Sequence, residues 1–280
     1  MKRSNKRIIP GFGLSMGVTV TLLSVIVLIP LASLIIFTAQ LSFSDIIAVI
    51  TRDRVLASFK VSFLTAFVAS LINAVMGVIL AWVLVRYDFP FKRILDGMIE
   101  LPFALPTAVA GIALTSLTAD KGIIGSFFAR FGIKIAYTRA GITVALVFIG
   151  IPFVVRAVQP VLEKLDGSLE EAASTLGASR SRTFRQVIFP EIMPAVFTGF
   201  GLAFGRCLGE YGSVVFIAGN QPFETEITPL IIMSELQEYD YASATAIALV
   251  MLAASFLILF LVNLIQVRNS KILRGGGKGA

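Results

Sequence analysis

The chain has 280 residues, 56% of them hydrophobic and 15% charged, against roughly 45–50% apolar and 25% charged in soluble domains, so its composition is that of a membrane protein. It holds no histidine and a single cysteine, Cys207, which excludes disulfides, Cys/His zinc sites and histidine-assisted nucleophilic catalysis within the chain. In a chain this apolar, the formal net charge of +7 fits basic loops held at one membrane face better than nucleic-acid binding.

One crossing of a hydrocarbon core about 30 Å thick takes roughly 20 apolar residues. Six runs approach or exceed that length: Leu14–Phe37, Val61–Val85, Met98–Leu117, Ala140–Val155, Ala195–Ala218 and Ala242–Val267. They predict an all-α polytopic membrane protein with six transmembrane helices in a single domain over residues 1–280. The first run follows Lys2, Arg3, Lys6 and Arg7, lacks a small-residue cleavage site and exceeds a signal-peptide core, so it is expected to stay as an anchor. In the third, Pro102 and Pro106 remove backbone donors one turn apart and predict a bend or unwinding. Such an interruption serves either as a kink or as the lining of a substrate path. The fourth is short before Arg156 and made less regular by Pro152. In the fifth, Gly201, Gly205, Gly209 and Ser213 form a stripe of small residues for close helix packing, within this chain or with a partner. Arg206 and Glu210, four apart in the same run, share a helical face and are expected to pair. They are candidates either for an internal salt bridge or for a translocation path or gate.

Counted on alternate sides of six spans, sixteen Lys and Arg fall on the side of the termini and of the loop at 156–193, and seven on the other, with Arg206 inside a span. The positive-inside rule then places both termini in the cytoplasm. The opposite side carries the cluster Lys121, Arg130, Lys134 and Arg139, suited to headgroup contact or to an electropositive mouth. Its last loop holds Glu224, Glu226, Glu235, Glu238 and Asp240 without a basic residue.

The loop at 156–193 has the most specific local pattern. Ser168 and Glu171 have capping-box spacing, Ala172 and Ala173 favour helix, and Gly177 can close it in the left-handed conformation. A second short helix with Phe184, Val187 and Ile188 on one face should follow, ended by Pro190 and Pro194. Its Arg180, Arg182 and Arg185 can stay hydrated or meet lipid headgroups.

Glu171-Ala172-Ala173, three residues, Gly177, nine residues, then Val187-Ile188-Phe189-Pro190 resembles the EAA loop of ABC importer permeases, with Val187 and Phe189 in place of the usual isoleucine and leucine. The resemblance implies a type I ABC importer permease architecture. It also implies a coupling helix at Leu169–Gly177 that docks on an ATPase through Leu169, Glu170, Glu171, Ala172, Ala173, Leu176 and Gly177. The stretches Leu101-Pro102-Phe103-Ala104-Leu105-Pro106, Gly209-Glu210-Tyr211-Gly212 and Phe216-Ile217-Ala218-Gly219-Asn220 are similar to sulfate/thiosulfate permeases, with molybdate permeases as near neighbours. The partners thereby implied are two ABC ATPase subunits, a second and distinct permease subunit, and a periplasmic sulfate-binding protein, at the cytoplasmic membrane. No phosphate loop of the Gly-x4-Gly-Lys-Ser/Thr type occurs, and the tail at Gly275–Lys278 lacks its spacing. ATP is therefore expected on the partner, with no cofactor or metal in this chain. An ATP-independent secondary transporter is the rival class, but no inverted internal repeat supports it.

Overall fold

The structure is a computed structural model that describes residues 12–275, with side chains to residue 264. The basic residues of the N-terminal tail and the segment 276–280, where the flexible tail was expected, lie outside the described residues. Fourteen α-helices follow one another and no strand occurs among the described residues: α1 (Phe12–Thr38), α2 (Phe43–Ile50), α3 (Asp53–Arg86), α4 (Lys92–Ile99), α5 (Leu101–Ala104), α6 (Thr107–Thr118), α7 (Ile123–Ala129), α8 (Arg139–Glu163), α9 (Ser168–Thr175), α10 (Arg180–Thr183), α11 (Phe189–Leu208), α12 (Val214–Ile217), α13 (Thr228–Gln237) and α14 (Tyr241–Gly275). Among the described residues five continuous helical stretches are long and apolar enough to cross a membrane, and the pair α6–α7, bent by 40°, makes six if it counts as one broken span.

The core is the mutual packing of α3, α8 and α11. Lipid offers no hydrophobic drive for helix association, so close approach at small residues has to supply van der Waals contact. Here α8 is clasped from both sides at Val154. A side-chain carbon added to Gly77 of α3 would lie 2.6 Å from Val154 Cγ1, and one added to Gly199 of α11 would lie 2.7 Å from Val154 Cα. The expected stripe at Gly201, Gly205, Gly209 and Ser213 is met in part within this chain, Ser213 being approached by Gly111. Gly201 and Gly205 meet Leu259 of α14 at ordinary contact distance, Gly209 has no such neighbour within 4 Å, and the closest approach uses Gly199 instead.

Three expected spans change. The run Met98–Leu117 is divided at Glu100 and again at Leu105–Pro106, and α6 begins immediately after Pro106. The fourth span is longer than expected and continuous, because α8 runs from Arg139 to Glu163 with Pro152 and Pro160 inside it. Val154, Val155 and Val158 are fully buried, and this packing holds the helix through the lost donor. Arg156 therefore lies within α8 and reaches Asp96 and Glu100, each at 2.8 Å. The fifth span starts earlier, since Pro190 and Pro194 do not end the preceding helix. A π-turn at Phe184–Ile188 joins α10 to α11, with Phe189 N–H donating to Phe184 O, and Pro190 sits in the first turn beyond. The wider turn falls where proline withdraws an amide donor, so the chain bends without stopping.

On the face opposite α9, the acidic last loop is an ion-paired element and not a plain solvated strip. Arg54 grips Glu226 with two bonds of 2.8 and 2.6 Å, and Glu226 is 2% exposed. Arg52 meets Glu235 at 3.2 Å, and Arg139 donates to Glu224 O at 2.7 Å. Ser62 Oγ, from α3, accepts from Thr228 N–H at 2.8 Å and ties down the start of α13. Replacing Glu226 by glutamine should cost about 2 kcal/mol, the scale of charge-assisted hydrogen bonds. The measurement is a lowered thermal midpoint of the detergent-purified chain, with Glu224→Gln unchanged because only the Glu224 backbone is engaged.

Candidate functional site

Helix α9 forms where expected, but Ser168 does not cap it. Ser168 is its first residue and donates its N–H to Asp166 Oδ1 at 3.0 Å. That backbone bond, with the Ser168 side chain, holds the exposed Asp166 carboxyl below the usual range for aspartate. The stabilising contribution is therefore present above the ordinary aspartate range and lost as pH falls through the lowered value. The other end closes as predicted. Gly177 has φ +78°, its N–H bonds to Ser174 O at 2.9 Å, and Ala178 N–H bonds to Ala173 O at 3.0 Å, which is a complete Schellman closure.

No residue of α9 is buried. Leu169 is 44% and Leu176 88% exposed, while Glu171 and Ala172 are also open and Ala173 is half-covered. Glu170 turns inward to form an ion pair with Arg86 at the end of α3. The Arg86 guanidinium lies 5.1 Å from the Trp82 ring centroid, and Trp82 meets Phe184 edge-on at 5.3 Å. A chain of contacts thus runs from α9 through Arg86 and Trp82 to the π-turn at the base of α11. Neither the Asp166 cap nor the Arg86–Glu170 pair was foreseen. The Asp166-Gly167-Ser168 sequence could have shown the first, and only the fold could show the second.

Deeper in the molecule, the two interrupted segments meet. Helix α11 stops at Leu208, so Glu210 lies not within a helix but in the break between α11 and α12. The expected pair nevertheless forms, with Arg206 Nη1 to Glu210 Oε2 at 2.6 Å, Arg206 34% exposed and Glu210 2% exposed. The second carboxylate oxygen accepts from Ser213 N–H at 2.8 Å and from Ser213 Oγ at 3.0 Å. Glu210 thereby satisfies the backbone of the break it occupies, which is how irregular backbone is tolerated at membrane depth. Gly212 lies directly on the Thr107 hydroxyl, and Gly111 of α6 approaches Ser213 so closely that an added side-chain carbon would be 2.5 Å from Ser213 O. The helix beginning after Pro106 is thus seated on the break that holds Glu210. Pro102 is buried just upstream, Pro106 is exposed, and no side chain caps α6. Arg206 also borders a cavity of about 510 Å³ between α11 and α14, with Thr198, Gly201, Gly205 and Asn263 on its wall.

The family model of binding-protein-dependent transport system inner membrane components matches residues 73–273, from the middle of α3 through α14. The chain belongs to this family. As a binding-protein-dependent transport component, it is a multi-pass membrane subunit of a transporter and not an enzyme. Among curated relatives it is similar to the sulfate transport system permease protein CysT of Salmonella typhimurium, at 51% identity over 97% of this chain and 98% of that one. The Escherichia coli protein of the same name gives the same figures. That of a Synechocystis species is 47% identical over 89% of this chain and 87% of its own. Among solved structures, a bacterial ABC transporter involved in alginate import superimposes with TM-score 0.76 at 15% identity, covering 92% of this chain and 96% of that one. At that identity the likeness concerns fold alone, and the fold is that of an ABC importer permease. The secondary-transporter alternative is set aside.

Proposed function

We propose that this chain is one membrane-spanning half of an ATP-driven sulfate importer. The observation that carries the reading is the 51% identity, over nearly the full length of both chains, to sulfate transport permeases. The Pro102–Pro106 stretch, whose sequence suggested the sulfate branch, leads into the helix seated on the Gly209–Gly212 break, a stretch shared with molybdate permeases. In this reading α9 docks on an ATPase subunit, which binds and hydrolyses the ATP. Arg206, Glu210 and the Pro102–Pro106 break line or gate the path, and a second permease subunit completes it. The uncapped start of α6, carrying partial positive charge, and Arg206 supply the attraction for a dianion, while Glu210 keeps the arginine from trapping it. A periplasmic binding protein delivers the substrate on the Arg54–Glu226 face.

The test is uptake of labelled sulfate in a bacterium lacking its own permease of this type, with this chain expressed beside its ATPase, second permease and binding protein. ATP-dependent uptake that unlabelled sulfate suppresses more strongly than molybdate is expected. Uptake of molybdate alone, or uptake that persists without ATP, would reject the reading.

The same reading places α9 and both termini in the cytoplasm. In a chain with Cys207 replaced by alanine, a membrane-impermeant thiol reagent applied to intact cells should label a cysteine placed at Glu224 and miss one placed at Ser174. The reverse pattern would invert the topology.

A further inference from the structure

Phe184, in the π-turn, stands between two cavities of opposite character. On one side a polar hollow of about 380 Å³ is lined by Arg86, Glu170 and Arg180 together with Trp82. On the other, an almost wholly apolar groove of about 540 Å³ runs between α3 and α11 past Phe67, Val75, Ile79, Phe189 and Phe197. Arg180, Arg182 and Arg185 are exposed around the same turn. Arg182 is bonded to Gln186 at 3.1 Å. Glu170 is already committed to Arg86, so the polar end has positive charge in excess.

The dimensions fit a lipid. Along α3 the groove extends from Phe67 to Ile79, which at 1.5 Å per residue is roughly 18 Å. One leaflet of a hydrocarbon core about 30 Å thick is about 15 Å deep. The groove therefore runs the depth of one leaflet and reaches Phe184, whose other side faces the hollow lined by Arg86 and Arg180, with the exposed Arg182 and Arg185 next to it in sequence; basic pockets at helix ends receive anionic headgroups.

We propose that the α3–α11 groove is a binding site for one anionic phospholipid, with an acyl chain along Phe67, Val75, Ile79 and Phe197 and the phosphate held by Arg180, Arg182 and Arg185. The bound lipid packs against the π-turn that joins the α9 loop to α11. Anionic lipid in the leaflet on that face thus becomes part of the wall that carries motion from the loop into the membrane.

Trp82 is the only tryptophan in the chain and touches Phe184, which lines the groove, so it reports occupancy from one side chain away. The full chain is reconstituted into phosphatidylcholine vesicles in which an increasing fraction of lipid is replaced by phosphatidylglycerol brominated on one acyl chain, or by phosphatidylcholine brominated identically. Half-maximal quenching of Trp82 is expected at a mole fraction at least threefold lower for the brominated phosphatidylglycerol. Joint replacement Arg180→Gln, Arg182→Gln and Arg185→Gln should make the two lipids equal, joint replacement by lysine should keep the preference, and Val75→Phe should lower maximal quenching by occupying the groove. Equal quenching by both lipids in the unaltered chain would overturn the proposal, as would a preference that survives the glutamine replacements. Loss of quenching when the second permease subunit is co-reconstituted would assign the groove to a partner helix and overturn it too.

Discussion

Gly177→Val is expected to reduce sulfate uptake at least tenfold while leaving the chain inserted in the membrane. A β-branched residue forced to φ +78° pays about 1–2 kcal/mol for the left-handed conformation. The alternative is to abandon both closing bonds, which frees the carbonyls of Ser174 and Ala173. Little else holds that end of α9 beyond its approach to α10 and the π-turn, because the helix buries no residue and its ion pair, Arg86–Glu170, is near the other end. The docking knob then loses the position of Leu176 without any loss in the transmembrane core. Gly177→Asn, which tolerates left-handed backbone, should keep most of the activity. Uptake and the amount of ATPase that copurifies with each variant are the measurements. Normal values of both in Gly177→Val would remove this loop from the coupling role.

Glu210→Gln should also lower uptake by at least tenfold, for a different reason. Breaking a buried ion pair costs about 3–5 kcal/mol when both partners are enclosed, and somewhat less here because Arg206 keeps 34% exposure. The amide can still accept from Ser213, so the break should persist while Arg206 loses its restraint. Arg206→Lys retains charge and should be partly active, whereas Arg206→Gln should fail to transport, with its assembly checked separately because it leaves the buried Glu210 without its arginine. Exchanging the two charges is not expected to restore function. An arginine at position 210 would be buried and could not accept from Ser213 N–H and Oγ as Glu210 does. Recovery in the exchanged variant would mean that only mutual attraction matters. Normal uptake by Arg206→Gln would exclude the arginine from the path.

The crossing segments were legible because length and apolarity are properties of contiguous residues. The positive φ of Gly177 was legible for a similar reason, since a small residue at the end of a short helical run has a local meaning. Pro102 and Pro106 marked the interruption correctly, yet not its partner: that Thr107 rests on Gly212 depends on residues more than a hundred positions apart. The pair Arg54–Glu226 is separated by 172 positions and was hidden for the same reason. Two errors came from reading local rules too strictly. By the local rule Pro152 makes the fourth span short and less regular, yet packing on two sides sustains a long helix there; by the same rule Pro190 ends a helix, yet a wider turn carries it forward. The Ser168 cap failed because Asp166, two residues earlier, offers a carboxylate to the same end of the helix.

The π-turn at Phe184–Ile188 has an angular consequence. Each residue of an α-helix advances the side-chain direction by about 100°, and a single wide turn holds roughly one residue more than an α-turn. Every side chain beyond it is therefore turned back by about one residue's step relative to an unbroken screw, so that Arg206 points where residue 205 otherwise would. The turn works as a phase setter: removing one residue from it would leave α9 and the bilayer crossing intact but swing Gly199 off Val154 of α8.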